Sequence, residues 1–426
     1  MNARSNKEKT LAKQPLAPWQ VLLPLGLAVC LSLFGDLALY ASLVTQRDAI
    51  GLSLGAVGIM LSVHRLIRIP GNPLAGALFD RRGRRQLFNL GMLLATLSTA
   101  GYGLVRGFWP FLISRLVWGV AWALINVGGM AMVLDVSTPA NRGRLAGLYN
   151  TWVLLGLALG PLVGGLLVDL LDFHLAMFIC AAITAVGLAI AIVALPETAP
   201  PADRITQGKA RQALNLRRRL DATWPQKTKA LLNANHSMIT AASLYMVTQF
   251  AGEGVLLSTI SLLLQKRFGE SVILGRLALG VASASGVLLA LRSLLAGAVG
   301  PLAGHWSDRR TGRWPVILSS LAVGILGFGL LAFATSLWSI VLGVTLGAAS
   351  AGAAMAALTA YTGDVTPPGR QGVAMGTYAA AGDIGSTAGP VMAFALASMV
   401  DVRWAYLFCA SIFLIGLGLS WRSRGK

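Results

Sequence analysis

Carboxylates and arginines standing inside long apolar runs are the residues of this chain best placed to do chemistry. They are Asp36, Arg65, Arg68, Arg115, Glu253, Arg292 and Asp383, with His64 beside Arg65. Insertion scales put an Asp, Lys or Arg at the centre of a membrane helix at roughly 2.5–3.5 kcal/mol, so such a residue is kept for a water-filled cavity or a partner. A carboxylate relieves the cost by taking up a proton. A guanidinium stays charged and holds a nearby carboxylate ionised until the geometry changes. Asp36 is therefore the preferred proton-coupling site, with Arg115 as its preferred partner. Glu253, flanked by glycines as Asp36 follows Gly35, is the matching carboxylate of the second half, expected at the same depth. Arg65, Arg68, Arg292 and Asp383 are cavity or substrate candidates, although each taken alone reads equally as a structural ion pair. Trp118 and Trp122 join them, lying one turn apart on the face that includes Arg115. His64 either titrates near neutrality or is a hydrogen-bonded structural histidine. Tyr40 and the other membrane aromatics read as core or interfacial residues.

A second group of residues suits gating. GALFDRRGRR runs from Gly76 to Arg85, and a weaker copy, GHWSDRRTGR, from Gly304 to Arg313. Gly76, Gly83, Gly304 and Gly312 permit close helix contact or a sharp reversal. Asp80 and Asp308 can accept hydrogen bonds from helix ends, and Arg84 with its neighbours is expected to reach Asp135. GLALGPLVGG at 156–165 places Gly156, Gly160 and Pro161 on one helix, echoed by Gly389 and Pro390 in GSTAGP at 385–390. These read as a paired hinge or interface, against ordinary small-residue packing.

The elements that position these residues follow from composition. The 426 residues are 55% hydrophobic and 12% charged, with a mean hydropathy of +0.69, too apolar for an ordinary soluble domain. The expected fold is all-α and polytopic, with twelve transmembrane helices in two pseudo-symmetric six-helix bundles. At about 20 residues per crossing, the segments fall near 18–46, 53–79, 86–106, 108–134, 144–170, 172–195, 237–265, 274–306, 314–334, 337–363, 370–396 and 402–421. Residues 1–17 and 422–426 form tails, 18–195 and 237–421 the two bundles, and 196–236 a basic linker. The middle of that linker suits either a short amphipathic helix or a flexible connection. Asp36 and Glu253, Arg65 and Arg292, the two charged turns, Asp135 and Asp364, and the two glycine-proline segments recur in the same order, which marks an internal repeat.

The net charge of +19 would suggest nucleic acid in a soluble chain, but its distribution argues for topology and no nucleic-acid role. Most Lys and Arg fall in the N-terminal tail, the charged turns and the linker, and few at the opposite ends, such as Arg47, Arg106, Lys266 and Arg403. The positive-inside rule then puts both termini in the cytoplasm. Cys30, Cys180 and Cys409 have no chelating spacing, so no metal or disulfide is expected. Nucleotide-loop and HExxH patterns do not occur, so neither an enzyme nor a cofactor is expected.

The two charged turns, RLVWGVAWA at 115–123 and GLALGPLVGG at 156–165 resemble the major facilitator superfamily, in particular its twelve-helix proton-dependent drug antiporters. The resemblance covers about residues 18–421. It implies proton-coupled antiport, with export of a small amphipathic or drug-like compound across a bacterial inner membrane by a monomer. The partners expected are the small-molecule substrate, protons and membrane lipids. Arg65, Arg68 and Arg292 make the membrane interior unusually basic for a carrier of cations. A transporter of an anionic metabolite or lysolipid is therefore one alternative, and a non-transporting receptor or assembly factor on the same scaffold is another.

Overall fold

The structure, a computed structural model, describes residues 16–79, 82–138, 141–198, 227–274, 277–366 and 371–423. Asp80 and the middle of the linker lie outside the described residues. Six long helices form the first half: α1 (Pro18–Ser42), α2 (Leu54–Phe79), α3 (Arg84–Leu104), α4 (Phe108–Asp135), α5 (Arg142–Leu170) and α6 (Phe173–Ala194), with one short turn of helix, Arg47–Ile50, between α1 and α2. In the second, α7 is one rod made of Lys227–Gln249, a π-helical stretch Phe250–Leu256, and Leu257–Phe268. It is followed by α8 (Val281–Trp306), α9 (Arg313–Ala332), α10 (Leu337–Val365), α11 (Gln371–Met399) and α12 (Val402–Ser423). Nine of these, among the described residues, are long and apolar enough to cross a membrane by length and composition.

Local chemistry starts and stops the helices. The carboxylate of Asp172 accepts the backbone N–H groups of His174 and Leu175 and so begins α6, satisfying donors that the first helical turn leaves open. Ser336 caps α10 in the same way. One expectation fails: the apolar segment from 274 does not enter α8 directly. Strands β1 (Ser271–Leu274) and β2 (Leu277–Gly280) pair antiparallel, with Ser271 opposite Gly280, and the helix begins at Val281. Short apolar runs rich in branched residues pair as strands as readily as they extend a helix, and periodicity does not separate the two.

Packing repeats between the halves. α1 lies on α5 as α7 lies on α11, α2 on α4 as α8 on α10, and α3 on α4 and α6 as α9 on α10 and α12. Leu97, Val193, Leu326, Leu414 and Ile415 project outward from α3, α6, α9 and α12, as suits lipid contact. Small residues let the backbones approach. A Cβ on Gly160 would lie 3.1 Å from the Leu33 carbonyl oxygen of α1, and one on Gly389 would lie 2.5 Å from the Gly254 Cα of α7. Gly156, Gly160 and Gly389 thus belong to equivalent interfaces within each half. The halves meet mainly where α5 crosses α8 and where α2 crosses α11.

Candidate functional site

The first charged cluster lies wholly inside the first half. Arg115 of α4 is fully buried and uses its guanidinium on four partners. Nη1 pairs with Asp36 Oδ1 and donates to Tyr102 Oη at 3.2 Å. Nε donates to the Met60 carbonyl oxygen at 2.7 Å, and Nη2 meets His64 Nδ1 at 2.5 Å. A guanidinium only donates, so His64 Nδ1 accepts and the neutral imidazole carries its proton on Nε2. Tyr102 also accepts from Ser98 Oγ at 3.0 Å. α1, α2, α3 and α4 therefore converge on one ion pair, as Asp36 and Arg115 were expected to do. In a dry interior such a pair persists only because the remaining donors are also satisfied.

The second cluster spans both halves. Glu253, in the π-helical stretch of α7, accepts from Arg292 Nη2 of α8 at 2.5 Å through Oε1. Its Oε2 lies 3.6 Å from Arg65 Nη2 of α2. Arg65 also donates to Tyr40 Oη at 3.3 Å, and Arg68 pairs with Asp383 of α11 at 2.8 Å. Arg65 and Arg292, expected as symmetric counterparts, thus converge on one carboxylate. The expected equivalence of Asp36 and Glu253 does not hold either. Asp36 lies in the last two turns of α1, whereas Glu253 is followed in α7 by the rest of the π-helical stretch and the twelve residues Leu257–Phe268. Its environment is also different: the Glu253 side chain is 30% exposed, against 8% for Asp36. Trp118, expected at the cavity, is buried and stacks on the half-buried Trp122 with ring centroids 6.3 Å apart.

The two ends of the interface differ. Toward the end that carries the β-hairpin, α5 and α8 touch closely. Asp169 Oδ2 accepts the Ser283 N–H at 2.6 Å, and a Cβ on Gly286 would stand 2.3 Å from the Pro161 carbonyl oxygen. Pro161 therefore lies at the contact between halves. On α2 and α11 the same end is closed by Gly58, where a Cβ would meet the Pro390 carbonyl oxygen at 2.8 Å. At the opposite end, which carries the first residue of α1 and the last of α12, a Cβ on Gly76, Gly147, Gly304 or Gly376 would meet nothing within 4 Å. Gly76 and Gly304, expected to permit either close helix contact or a sharp reversal, make no close contact among the described residues.

Each half fastens this open end with the same clamp. Arg84 Nε lies 3.2 Å from Asp135 Oδ2, and Arg313 Nε 2.7 Å from Asp364 Oδ2. Asp308 also pairs with Arg313. The first clamp has an addition that sequence reasoning missed. Glu197, at the start of the linker, accepts the backbone N–H groups of Arg84 at 2.9 Å and Arg85 at 3.2 Å. Gly83 and Gly312 therefore serve different ends. Gly312 holds φ at 75°, which favours glycine, whereas a Cβ on Gly83 would strike Glu197 Oε2 at 2.6 Å.

Comparison with known proteins agrees with this architecture. The sequence pattern of the Major Facilitator Superfamily matches residues 25–293 and 278–426. The chain belongs to that superfamily. It is a multi-pass membrane transporter of small molecules and not an enzyme. Similar curated proteins include the class C tetracycline resistance protein of Escherichia coli, 27% identical over 84% of this chain and 85% of that protein. Another is the multidrug resistance protein MdtG of Proteus mirabilis, 24% identical over 91% and 90%. Among solved structures, the D-xylose-proton symporter matches at a TM-score of 0.74 and 15% identity, over 95% of this chain and 97% of that one. At that identity the likeness concerns the superfamily fold alone.

Proposed function

We propose that this transporter exports a small amphipathic compound across a bacterial inner membrane in exchange for protons. It does so as a monomer with both termini in the cytoplasm. The observation that carries the reading is the buried Asp36–Arg115–His64 cluster, a carboxylate whose charge is held by one guanidinium and sealed from solvent in this state. The excess of basic residues beside the termini makes the open end cytoplasmic, so the arrangement is inward-facing with Asp36 ionised. Substrate enters from the cytoplasm. When the outer end opens, Asp36, near the outer end of α1, takes up a proton, its attraction to Arg115 weakens, and substrate leaves. On the return the proton leaves toward the inside before Asp36 and Arg115 close again into the sealed pair. One charge moved is worth roughly 2.3 kcal/mol per 100 mV, which sustains a substrate gradient of about 50-fold. The likeness to drug-resistance proteins supports the export direction.

The test is reconstitution into proteoliposomes, following proton flux together with movement of tetracycline, ethidium or 1-naphthaleneacetate. A pH gradient is expected to drive accumulation of at least one of them, and substrate to drive proton movement. Substrate flux indifferent to both pH gradient and voltage would refute proton coupling.

The open inner end supplies a further expectation for the gating glycines. Gly76→Leu adds a side chain where this state has space, so ligand affinity and melting temperature should stay near wild type. Transport should fall about tenfold or more if closure brings α2 against its neighbour there, since an overpacked contact costs about 1–3 kcal/mol. Unchanged turnover would show that closure does not use Gly76.

A further inference from the structure

Glu253 is held by guanidinium groups from both halves, and the surroundings of that contact are short of acceptors. Arg65, Arg68 and Arg292 face Glu253 and Asp383, leaving one more guanidinium than carboxylate. The Nε atoms of all three arginines are buried without a hydrogen-bond partner. Buried donors without acceptors are costly, and an entering anion would satisfy them. Two of the arginines are fixed: Arg65 is 7% and Arg292 4% exposed, and Tyr40 braces Arg65. Glu253 is the yielding member. It is more exposed than either arginine, lies between Gly252 and Gly254, and occupies a π-helical stretch, a geometry frequent at functional sites.

These observations deepen the transport reading above by naming the chemical class of its substrate. We propose that Arg65 and Arg292 form the subsite for the anionic group of an amphipathic substrate, a carboxylate, sulfonate or phosphate. In the empty transporter Glu253 fills that subsite as an internal substitute. Substrate and Glu253 compete for the same two guanidiniums. A cation fits poorly, because the carboxylate that would attract it already accepts from Arg292 and is ion-paired with Arg65. An apolar crevice of about 130 Å³ between α7 and α11, lined by Met238, Ala242, Met246, Thr377 and Ala381, is available for the apolar body. It reaches Met246, seven residues before Glu253 on α7. Because Arg65 and Arg292 belong to different halves, an anion held by both changes the force between the halves at the point where they must part.

Equilibrium binding to the full chain in phosphatidylcholine nanodiscs, at one pH and without a gradient, tests this. The probes are 1-naphthaleneacetate, the neutral 1-naphthaleneacetamide, 1-naphthylmethylammonium and, as the lipid-borne form of the same chemistry, lysophosphatidylglycerol. Wild type should bind one or both anions at least about tenfold tighter than the neutral probe, the effect of a charge-assisted pair. Glu253→Gln, which removes the competitor, should tighten anion binding by a further factor of about ten. Arg292→Gln/Glu253→Gln leaves Arg65 as the one guanidinium of the subsite and should cut the preference at least about tenfold relative to Glu253→Gln while keeping the melting temperature close to that of Glu253→Gln. An effect confined to lysophosphatidylglycerol identifies a lipid headgroup, and one confined to naphthaleneacetate a free organic acid; both support the subsite. Preference for the ammonium probe, or weaker anion binding in Glu253→Gln, would overturn it. Because no gradient is imposed, a transporter that binds anions in this way but fails to couple to protons loses only the antiport reading. One that couples protons to ethidium and binds no anion loses only this one.

Discussion

Asp36→Asn should abolish pH-gradient-driven transport in proteoliposomes while leaving a folded protein that still binds substrate. The asparagine keeps an oxygen where Arg115 Nη1 donates, so the hydrogen bond survives in neutral form. What disappears is the change of charge with protonation, and with it the coupling. The substitution also leaves the buried, permanently charged Arg115 without its counter-charge, which typically costs about 3–5 kcal/mol, so the melting temperature should fall while the remaining hydrogen bonds of Arg115 keep the protein folded. Coupled flux should fall at least about 100-fold, because among the described residues no other carboxylate contacts Arg115 and only the charged form exerts its full attraction. Arg115→Gln is expected to behave differently. It leaves Asp36 buried with its guanidinium gone, but that carboxylate can take up a proton and become neutral, so the protein should melt at a higher temperature than Asp36→Asn while still failing to couple. Combining the two changes should recover much of the stability and none of the coupling. Full pH-driven transport by Asp36→Asn would remove Asp36 from the mechanism and leave the cluster a structural one.

The parts of this site legible in the sequence are those where burial alone forces a pairing or where a motif recurs. Asp36 and Arg115 both stand inside apolar runs, and an intramembrane charge needs a partner. The clamp between Arg84 and Asp135 followed from the charged turn, and its copy places Arg313 against Asp364. Other features depend on which helices cross. Only the packing of α2 on α11, at the seam between halves, brings Arg65 beside Glu253, and that breaks the symmetry its spacing suggested. Tyr40 read as a core aromatic, yet it lies one turn beyond Asp36 and hydrogen-bonds Arg65; that spacing was a usable signal. Nothing local marked Tyr102 or the Met60 carbonyl oxygen as ligands of Arg115. Glu197 was overlooked because a polar linker normally solvates its charges, whereas here the bend of the chain after α6 carries one back to the start of α3.

Gly286→Leu is expected to shift the transporter toward the outward-open state and to stop turnover there. In this structure a Cβ at 286 would lie 2.3 Å from the Pro161 carbonyl oxygen and 3.0 Å from the Leu162 Cα. These are backbone atoms of the other half, so no side-chain rotation relieves the clash. The halves must separate at their outer end, which also strains the contact between Asp169 and the Ser283 N–H nearby. Overpacking of about 1–3 kcal/mol corresponds to a population change of roughly 5- to 150-fold. A cysteine at Ser283, now buried, reports the change: a membrane-impermeant maleimide applied from outside should label Ser283→Cys faster by that factor when Gly286→Leu is present. Cys30, Cys180 and Cys409 are buried and leave the background low. Gly76→Leu should slow rather than speed the same labelling only if it favours the inward state, but it obstructs inner closure and so should do that. The two leucines thus push opposite ends of one equilibrium, and the double variant should label at an intermediate rate. Labelling unchanged by Gly286→Leu, with normal transport, would mean that the α5–α8 crossing is not a moving contact and that access alternates elsewhere in the fold.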